Sequence, residues 1–395
     1  MSRFANKHIL LGVTGSIATY KAVALASRLT QAGATVDVMM TEAATKMVQP
    51  LSFQAITHRP VLTDMWSLLA ETEIGHVTLA KEADALLVAP ATANTIAKLA
   101  LGFADNYLTT TALALRGALV LAPAMESGMW EHPATLAHLA TLRERGAWIV
   151  EPDAGYLASG ARGVGRLAPE EHILATLEQA LGPNDLRGLR IVVTAGGTRE
   201  AIDPVRYISN HSSGKMGYAL AEVAARRGAS VTLISGPVAL EPPFGVKVQH
   251  VESAREMGAA VLQAIQEADA LLMAAAVADY RPAQVAEQKI KKNDSDLSIQ
   301  LTRNPDILMT VAGAKPLGLV TIGWAAETQE LLANARDKLL RKELDMIVAN
   351  PVPQTFGGDL VQATLVRHDG HEELPPLSKR ELANRILDEV KALKT

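Results

Sequence analysis

Short apolar runs recur along this chain, and almost every one stops at a small or polar turn that opens a helical stretch. Residues 7–14 (KHILLGVT), 35–40, 85–89, 118–121 and 147–150 read as strands. Residues 15–31, 92–102, 104–115 and 132–145 read as the helices between them, with Gly33 ending the first. Strands that are apolar throughout must be buried on both faces, so the alternation predicts a parallel sheet with helices on either side. The turns at Gly15, Thr41, Pro90 and Pro123 all follow strands, so they line one crevice at the strands' carboxyl ends. The helix 171–181 closes this half. A second series begins after Gly182-Pro183-Asn184-Asp185: strand 189–194, helix 214–227, strand 230–235, helix 253–267, strands 269–275 and 319–323, helix 328–341, strand 345–349. The reading is therefore α/β, with two doubly wound parallel-sheet domains at 1–182 and 189–395 and a linker at 183–188. Residues 281–300 are polar and lysine-rich without a period, which predicts a loop or hairpin acting as a mobile lid. The segment 373–395 ends in a charged helix.

A length of 395 residues fits two or three domains. The net charge of -4 gives no basic surface for a nucleic-acid partner. No apolar run reaches the ~18 residues of a membrane span. Residues 1–20 lack the apolar core of a signal peptide, because Ile9 to Val13 runs straight into a glycine turn. These readings predict a cytoplasmic protein. The absence of cysteine excludes disulfides, thiolate metal sites and cysteine nucleophiles.

In the first half, the turn Gly12 to Ala18 puts Gly15, Ser16 and Ile17 where a helix starts, which suits a phosphate or only a tight strand–helix turn. Pro90-Ala91-Thr92-Ala93-Asn94-Thr95 supplies two hydroxyls and an amide that bind a ligand or only cap the helix. Pro123-Ala124-Met125-Glu126-Ser127-Gly128-Met129-Trp130 carries two methionines and a tryptophan in a loop. Together these resemble the homo-oligomeric flavin-containing cysteine decarboxylases, a flavodoxin-like or Rossmann-like fold. The resemblance implies FMN held by Gly15, Ser16, Ile17, Thr41, Pro90, Thr92, Asn94, Thr95 and Met125. It implies a substrate site at position 126, Met129, Trp130 and a flap that includes Ala158 and Gly160, with His76 as the active-site histidine. In the family FMN oxidises the thiol of a cysteinyl group, and the resulting thioaldehyde permits loss of CO2. Two positions depart from the pattern. The family's carboxylate-binding Asn is Glu126, which must point away, be protonated or do another job. The cysteine often found in the family's flap is Ser159, a far poorer acid. The reading assigns proton donation to Tyr156 or a water.

In the second half, the stretch Thr194 to Tyr218 (TAGGTREAIDPVRYISNHSSGKMGY) follows a core strand with densely polar sequence. Its Gly-Lys is no P-loop: Ser209 stands where the first glycine belongs, and Met216 replaces the magnesium-binding hydroxyl. Asp203, Arg206 and Asn210 are either site residues or a surface turn and ion pair. Asp279 ends a strand, and Lys289-Ile290-Lys291-Lys292 follows in a loop suited to closing over a polyphosphate. Lys338 and Lys342 share a helix face. GGTRE, IDPVR, SSGKMG, AAVADYRP, KIKK, NPDIL and AAET resemble phosphopantothenate–cysteine ligases in order and content. The resemblance implies that 4'-phosphopantothenate's carboxylate attacks the α-phosphate of CTP, and that cysteine's amine takes the acyl-cytidylate. Asn210 would hold the acyl group and Lys289 would close on the intermediate. Asp279 and Trp324 would lie against the nucleotide, and Pro305, Asp306, Ile307 and Leu308 would bind it through backbone groups. Lys338 and Lys342 would meet the triphosphate, with Mg2+ held mainly by its oxygens. The family usually has Phe at position 324.

Decarboxylase first and ligase second is the arrangement of the bifunctional family of coenzyme A biosynthesis. The expectation is an enzyme carrying both steps. Alternatives are a ligase with a weak or inactive FMN-binding half, motivated by Glu126 and Ser159, and a non-catalytic regulatory flavoprotein. The resemblance also implies homo-oligomers: trimers through the flavin domain and dimers through the ligase domain, a dodecamer being one assembly that combines them.

Overall fold

The computed structural model describes residues 3–66, 75–291, 297–327, 330–351 and 360–394. Lys292 and Thr328, which belong to motifs quoted above, lie outside the described residues. The chain divides into two compact units, Met1–Pro183 and Asn184–Thr395.

In the first unit the strands are β1 (His8–Val13), β2 (Thr35–Met40), β3 (Val61–Leu62), β4 (Ala85–Ala91), β5 (Ala118–Pro123) and β6 (Trp148–Ile149). They form one parallel sheet in the order β3-β2-β1-β4-β5-β6. The strand order reverses between β1 and β4, so the crevice opens beyond their carboxyl ends. The helices are α1 (Thr19–Gln31), α2 (Glu42–Thr45), α3 (Pro50–Thr57), α4 (Gly75–Glu82), α5 (Ala93–Leu101), α6 (Tyr107–Ala114), α7 (Ser127–Trp130), α8 (Pro133–Glu144) and α9 (Glu170–Leu181). β1 shows why the sheet is covered twice. Ile9, Leu11 and Val13 pack with Leu25, Leu29 and Leu174 on one side. Leu10 packs with Leu86, Ile96 and Leu139 on the other. Each such leucine or isoleucine is worth about 1.5–3 kcal/mol when fully buried. A hairpin of β7 (Asp153–Tyr156) and β8 (Arg162–Arg166) stands outside the sheet.

The second unit repeats this order. Its sheet runs β13-β12-β9-β14-β17-β18, all parallel, with β9 (Arg190–Ala195), β12 (Ser230–Ser235), β13 (Lys247–His250), β14 (Ala270–Met273), β17 (Val320–Glu327) and β18 (Met346–Pro351). An antiparallel hairpin, β20 (Thr364–Arg367) and β21 (Gly370–Glu373), extends the sheet beyond β18. Parallel sheets often carry such an edge. Three short pairs complete the unit: β10 (Arg199–Ala201) with β11 (Tyr207–Ser209), β15 (Tyr280–Pro282) with β16 (Leu301–Arg303), and β19 (Leu360–Val361) with β22 (Leu377–Ser378). The β15–β16 pair makes the base of the lysine-rich segment a hairpin. The helices are α10 (Lys215–Arg226), α11 (Ala254–Ala264), α12 (Ile307–Ala312), α13 (Leu331–Arg341) and α14 (Lys379–Lys394). α10 lies close on β9 because Gly217 faces it: a Cβ there would sit 2.5 Å from that of Ala195. Leu186 is fully buried in the core of this unit.

Candidate functional site

In the first unit, hydroxyls tie the carboxyl ends of β1 and β4 together. Thr14 Oγ1 donates to Pro90 O at 2.7 Å and accepts from Thr92 N at 3.0 Å. Ser16 Oγ donates to Ala124 O at 3.3 Å, which draws the turn after β5 into the same corner. These three strand ends and the β7–β8 hairpin surround a cavity of about 650 Å3. Gly15, Ser16 and Ile17 line its floor with Thr92. Met125, Glu126 and Met129 form one wall, and Tyr156, Ala158 and Ser159 of the hairpin form another. Leu157 of the flap lines it too, as do Tyr20, Lys21 and Arg166, which the sequence did not single out. Lys21 and Tyr20 lie on the first turn of α1, so their distance from the glycine turn was the available signal.

Other predicted residues stay off this lining. Thr41 accepts from Ala44 N at 3.3 Å and caps α2. Pro90 contributes its carbonyl to Thr14. Thr95 is buried, its N–H donating to Thr92 Oγ1 at 3.3 Å, so this pair also caps α5. Asn94 is exposed, Trp130 packs against the Leu10–Leu139 side of the core, and Gly160 sits in the hairpin loop. His76 is half-buried on α4, and its ring meets the Tyr107 ring edge-on with centroids 6.2 Å apart. Among the described residues, Tyr107 Oη is buried without a hydrogen-bond partner.

Glu126 is the N-cap of α7. Its carboxylate accepts from Ser127 Oγ at 2.9 Å and from Gly128 N at 2.6 Å. The Ser127 hydroxyl, helped by that N–H, holds it below the usual carboxylate range. The charge is therefore spent within its own turn, and protonation is not how the protein accommodates it. The hairpin docks on the same turn. Met125 N donates to Gly165 O at 2.9 Å, and Gly165, with φ 154°, approaches so closely that a Cβ would lie 2.1 Å from Met125 O. Tyr156 is 67% exposed and carries the Arg162 guanidinium 4.5 Å above its ring. Ser159 Oγ accepts from Ala161 N at 3.4 Å. The cavity offers a glycine turn and a helix start to a phosphate, and the apolar side chains of Ile17 and Met125 to a flat ring, which fits a flavin mononucleotide.

In the second unit the loops after β9 and β14 run side by side. Thr194 Oγ1 accepts from Ala275 N at 3.1 Å, and Thr198 Oγ1 from Ala278 N at 3.0 Å. Beside them lies a cavity of about 160 Å3 that gathers Asp279, Pro305, Asp306, Ile307, Leu308, Trp324, Lys338 and Lys342. Both lysines already have acceptors. Lys338 Nζ donates to Trp324 O at 2.5 Å, and Lys342 pairs with Asp306 at 2.7 Å. Burial would raise the Asp306 carboxyl, but Lys342 and the N–H groups of α12 hold it below its ordinary value. Asp306 Oδ1 takes the N–H groups of Leu308 and Met309, so Leu308's N–H is committed to its own helix cap. Asn304 Nδ2 donates to Ala278 O at 2.8 Å, and Arg281 Nη1 to Asn304 Oδ1 at 3.0 Å. These two brace the cavity and were missed as site residues; the signal was Asn304's place just before Pro305.

Asn210 does not line this cavity; its Nδ2 donates at 3.0 Å to the carbonyl of Val277, which does. Lys289 is off the lining, one residue before Ile290, whose N–H donates to Asp203 Oδ2 at 3.1 Å. Lys215 opens α10 after Gly214 and does not line the cavity. Among the described residues no cluster of three His, Asp or Glu side chains could hold a metal. No helix among the described residues is long and apolar enough to cross a membrane.

Both halves of the chain match known families. Residues 2–182 match the family model described as Flavoprotein, and residues 186–393 the DNA/pantothenate metabolism flavoprotein C-terminal domain. The coenzyme A biosynthesis bifunctional protein CoaBC of Vibrio cholerae is 47% identical over 392 residues, 98% of either chain. That of Haemophilus influenzae is 46% identical over 387 residues, 97% of either chain. That of Bacillus subtilis is 46% identical over 396 residues, 98% of this chain and 97% of the relative.

Proposed function

This chain belongs to the bifunctional coenzyme A biosynthesis family, and from that premise we propose how its two sites divide the work. It is a phosphopantothenate–cysteine ligase and a phosphopantothenoylcysteine decarboxylase. The second unit joins 4'-phosphopantothenate to cysteine with CTP, and the first removes CO2 from the product to leave 4'-phosphopantetheine. The observation that carries the ligase assignment is the convergence of Lys338, Lys342, Trp324 and Asp279 on one cavity.

In the ligase, the triphosphate of CTP, with Mg2+, takes the place of Trp324 O and the Asp306 carboxylate as partner of Lys338 and Lys342. Positive charge there opposes the charge that builds as the substrate carboxylate attacks and pyrophosphate leaves. Trp324 supplies an aromatic face to the base. The backbone contribution falls to 305–307, since Leu308's N–H serves Asp306. Asn210 holds the acyl group, and Lys289 neutralises the intermediate. A Lys338→Gln, Lys342→Gln variant should raise KM for CTP by about tenfold or more, as lost phosphate contacts do. An unchanged KM would remove both lysines from the triphosphate.

In the decarboxylase, FMN bound in the 650 Å3 cavity would supply the two-electron oxidation of the substrate thiol. Gly15, Ser16 and Thr92 would hold its phosphate end, and Ile17 and Met125 its ring. Tyr156 donates the proton that completes the product. His76 does not line the cavity of its own chain, so we assign it to the site of a neighbouring copy in a trimer. Ligase domains pair as dimers, and the assembly works in the cytoplasm. Mixing inactive His76→Asn and Tyr156→Phe chains tests the sharing. Recovered CO2 release after subunit exchange is the expected result, and none would place each site within one chain.

A further inference from the structure

One buried carboxylate of the second unit takes no part in the steps above. Asp203 is 2% exposed. Its Oδ1 accepts the N–H groups of Val205 and Arg206 at 2.8 and 2.9 Å, closing the turn between β10 and β11. Its Oδ2 accepts from Arg206 Nε at 2.9 Å and from Arg206 Nη2. The same oxygen accepts the backbone N–H of Ile290 at 3.1 Å. Arg206 Nη2 meanwhile donates to Ile290 O at 2.9 Å. The ion pair therefore grips Ile290 at both its N–H and its carbonyl. Ala286 N donates to Ile202 O at 3.0 Å and fixes the same segment a second time.

A β-turn alone does not call for a carboxylate withdrawn from water. Burying that charge is costly unless each lone pair is used, and here the hydrogen bonds from Arg206, first among several, hold the group far below the usual carboxylate range. What the burial secures is a distant peptide. Lys289 is bonded directly to Ile290, so its Cα is fixed to the 202–206 turn. From that turn β11 leads straight into Asn210. The two residues assigned to the acyl-cytidylate thus stand on segments joined by one buried charge pair.

We propose that Asp203 is a positioning residue of the ligase, which holds Lys289 in register with Asn210 by clamping the Ile290 peptide through its pair with Arg206. This rests on the roles given above to Lys289 and Asn210. A lysine on an unclamped loop would sample many positions, and misplacement by about 1 Å can cost about a hundredfold in rate.

The test uses the full-length chain and Asp203→Asn, with Asp203→Glu as a second variant that keeps the charge. Three measurements are needed: hydrogen exchange at Ile290, CTP-dependent pyrophosphate release, and KM for CTP. Asp203→Asn should speed Ile290 exchange and slow pyrophosphate release, each by about tenfold or more, with KM for CTP within about twofold. Asp203→Glu should recover part of both. Because Asp203 acts through Lys289, the double variant Asp203→Asn, Lys289→Gln should be no slower than Lys289→Gln alone. Unchanged Ile290 exchange, or losses that multiply in the double variant, would overturn the clamp. A full ligase rate in Lys289→Gln alone would instead overturn the reading of Lys289, and the positioning role with it.

Discussion

Individual residues decide where charge is tolerated in these sites. Glu126 lines the cavity proposed for the decarboxylase substrate, and both its oxygens are engaged by Ser127 and Gly128. Its carboxylate thus caps α7 and carries its charge into that turn. Asn210 is less forgiving. Its Nδ2 donates to Val277 O, and an Asp there would set a carboxylate oxygen against that carbonyl and beside the acyl-cytidylate. Asn210→Asp should slow amide formation by about 10²–10³, the range for loss of an oriented donor at a reacting centre, while flavin absorbance stays unchanged. Full ligase activity would sink the assignment. Gly165→Ala should push the hairpin off Met125, because the added Cβ meets that residue's carbonyl at 2.1 Å. CO2 release should fall while CMP formation persists; equal rates of both in variant and parent would show that the hairpin need not dock.

Elements decide how firmly those residues are held. α10 presses on β9 through Gly217, so Gly217→Ala should destabilise the second unit by about 1–3 kcal/mol, the usual cost of overpacking, read as a lower urea midpoint. Asp185 ties the start of this unit to α10 and α14. It accepts from Arg227 at 2.7 Å and from Lys391 at 3.1 Å. Arg227, above all, lowers its pKa from 3.8 to about 2. A depressed carboxyl pKa stabilises the fold above the unfolded value and loses that contribution as pH falls through the folded one. Asp185→Asn should cost about 2 kcal/mol at neutral pH. The gap from the parent should close as pH drops from 3.8 through about 2; a gap independent of pH would deny the ion pair its role. The long strands and helices were legible because their apolar runs and caps are local. The pairs β7–β8, β10–β11 and β20–β21 were not, and β15–β16 was legible only as a loop or hairpin. Each strand is three to five residues, too short to show alternation, and several are held by partners far along the chain. Asp203 shows this best: its turn was readable, but its hold on Ile290 was not.

At the scale of the molecule, two units with the same strand order carry different chemistry because the turns after their strands differ. Gly15, Ser16 and Thr92 shape a 650 Å3 cavity for a flavin, while Asp279, Asp306, Lys338 and Lys342 balance charge in a smaller one. The motifs could place residues in each site but could not show that His76 lies beside Tyr107, away from the lining of its own cavity. Only tertiary geometry exposes that. The central claim is that one chain performs both steps in series. It is tested by incubating the purified protein with 4'-phosphopantothenate, cysteine, CTP and Mg2+ while following CMP and CO2 together. CMP should rise first, and CO2 should follow toward an equal amount. Lys289→Gln should suppress both, and His76→Asn should suppress CO2 alone. CMP without CO2 in the parent, or CO2 release undiminished in His76→Asn, would contradict the account.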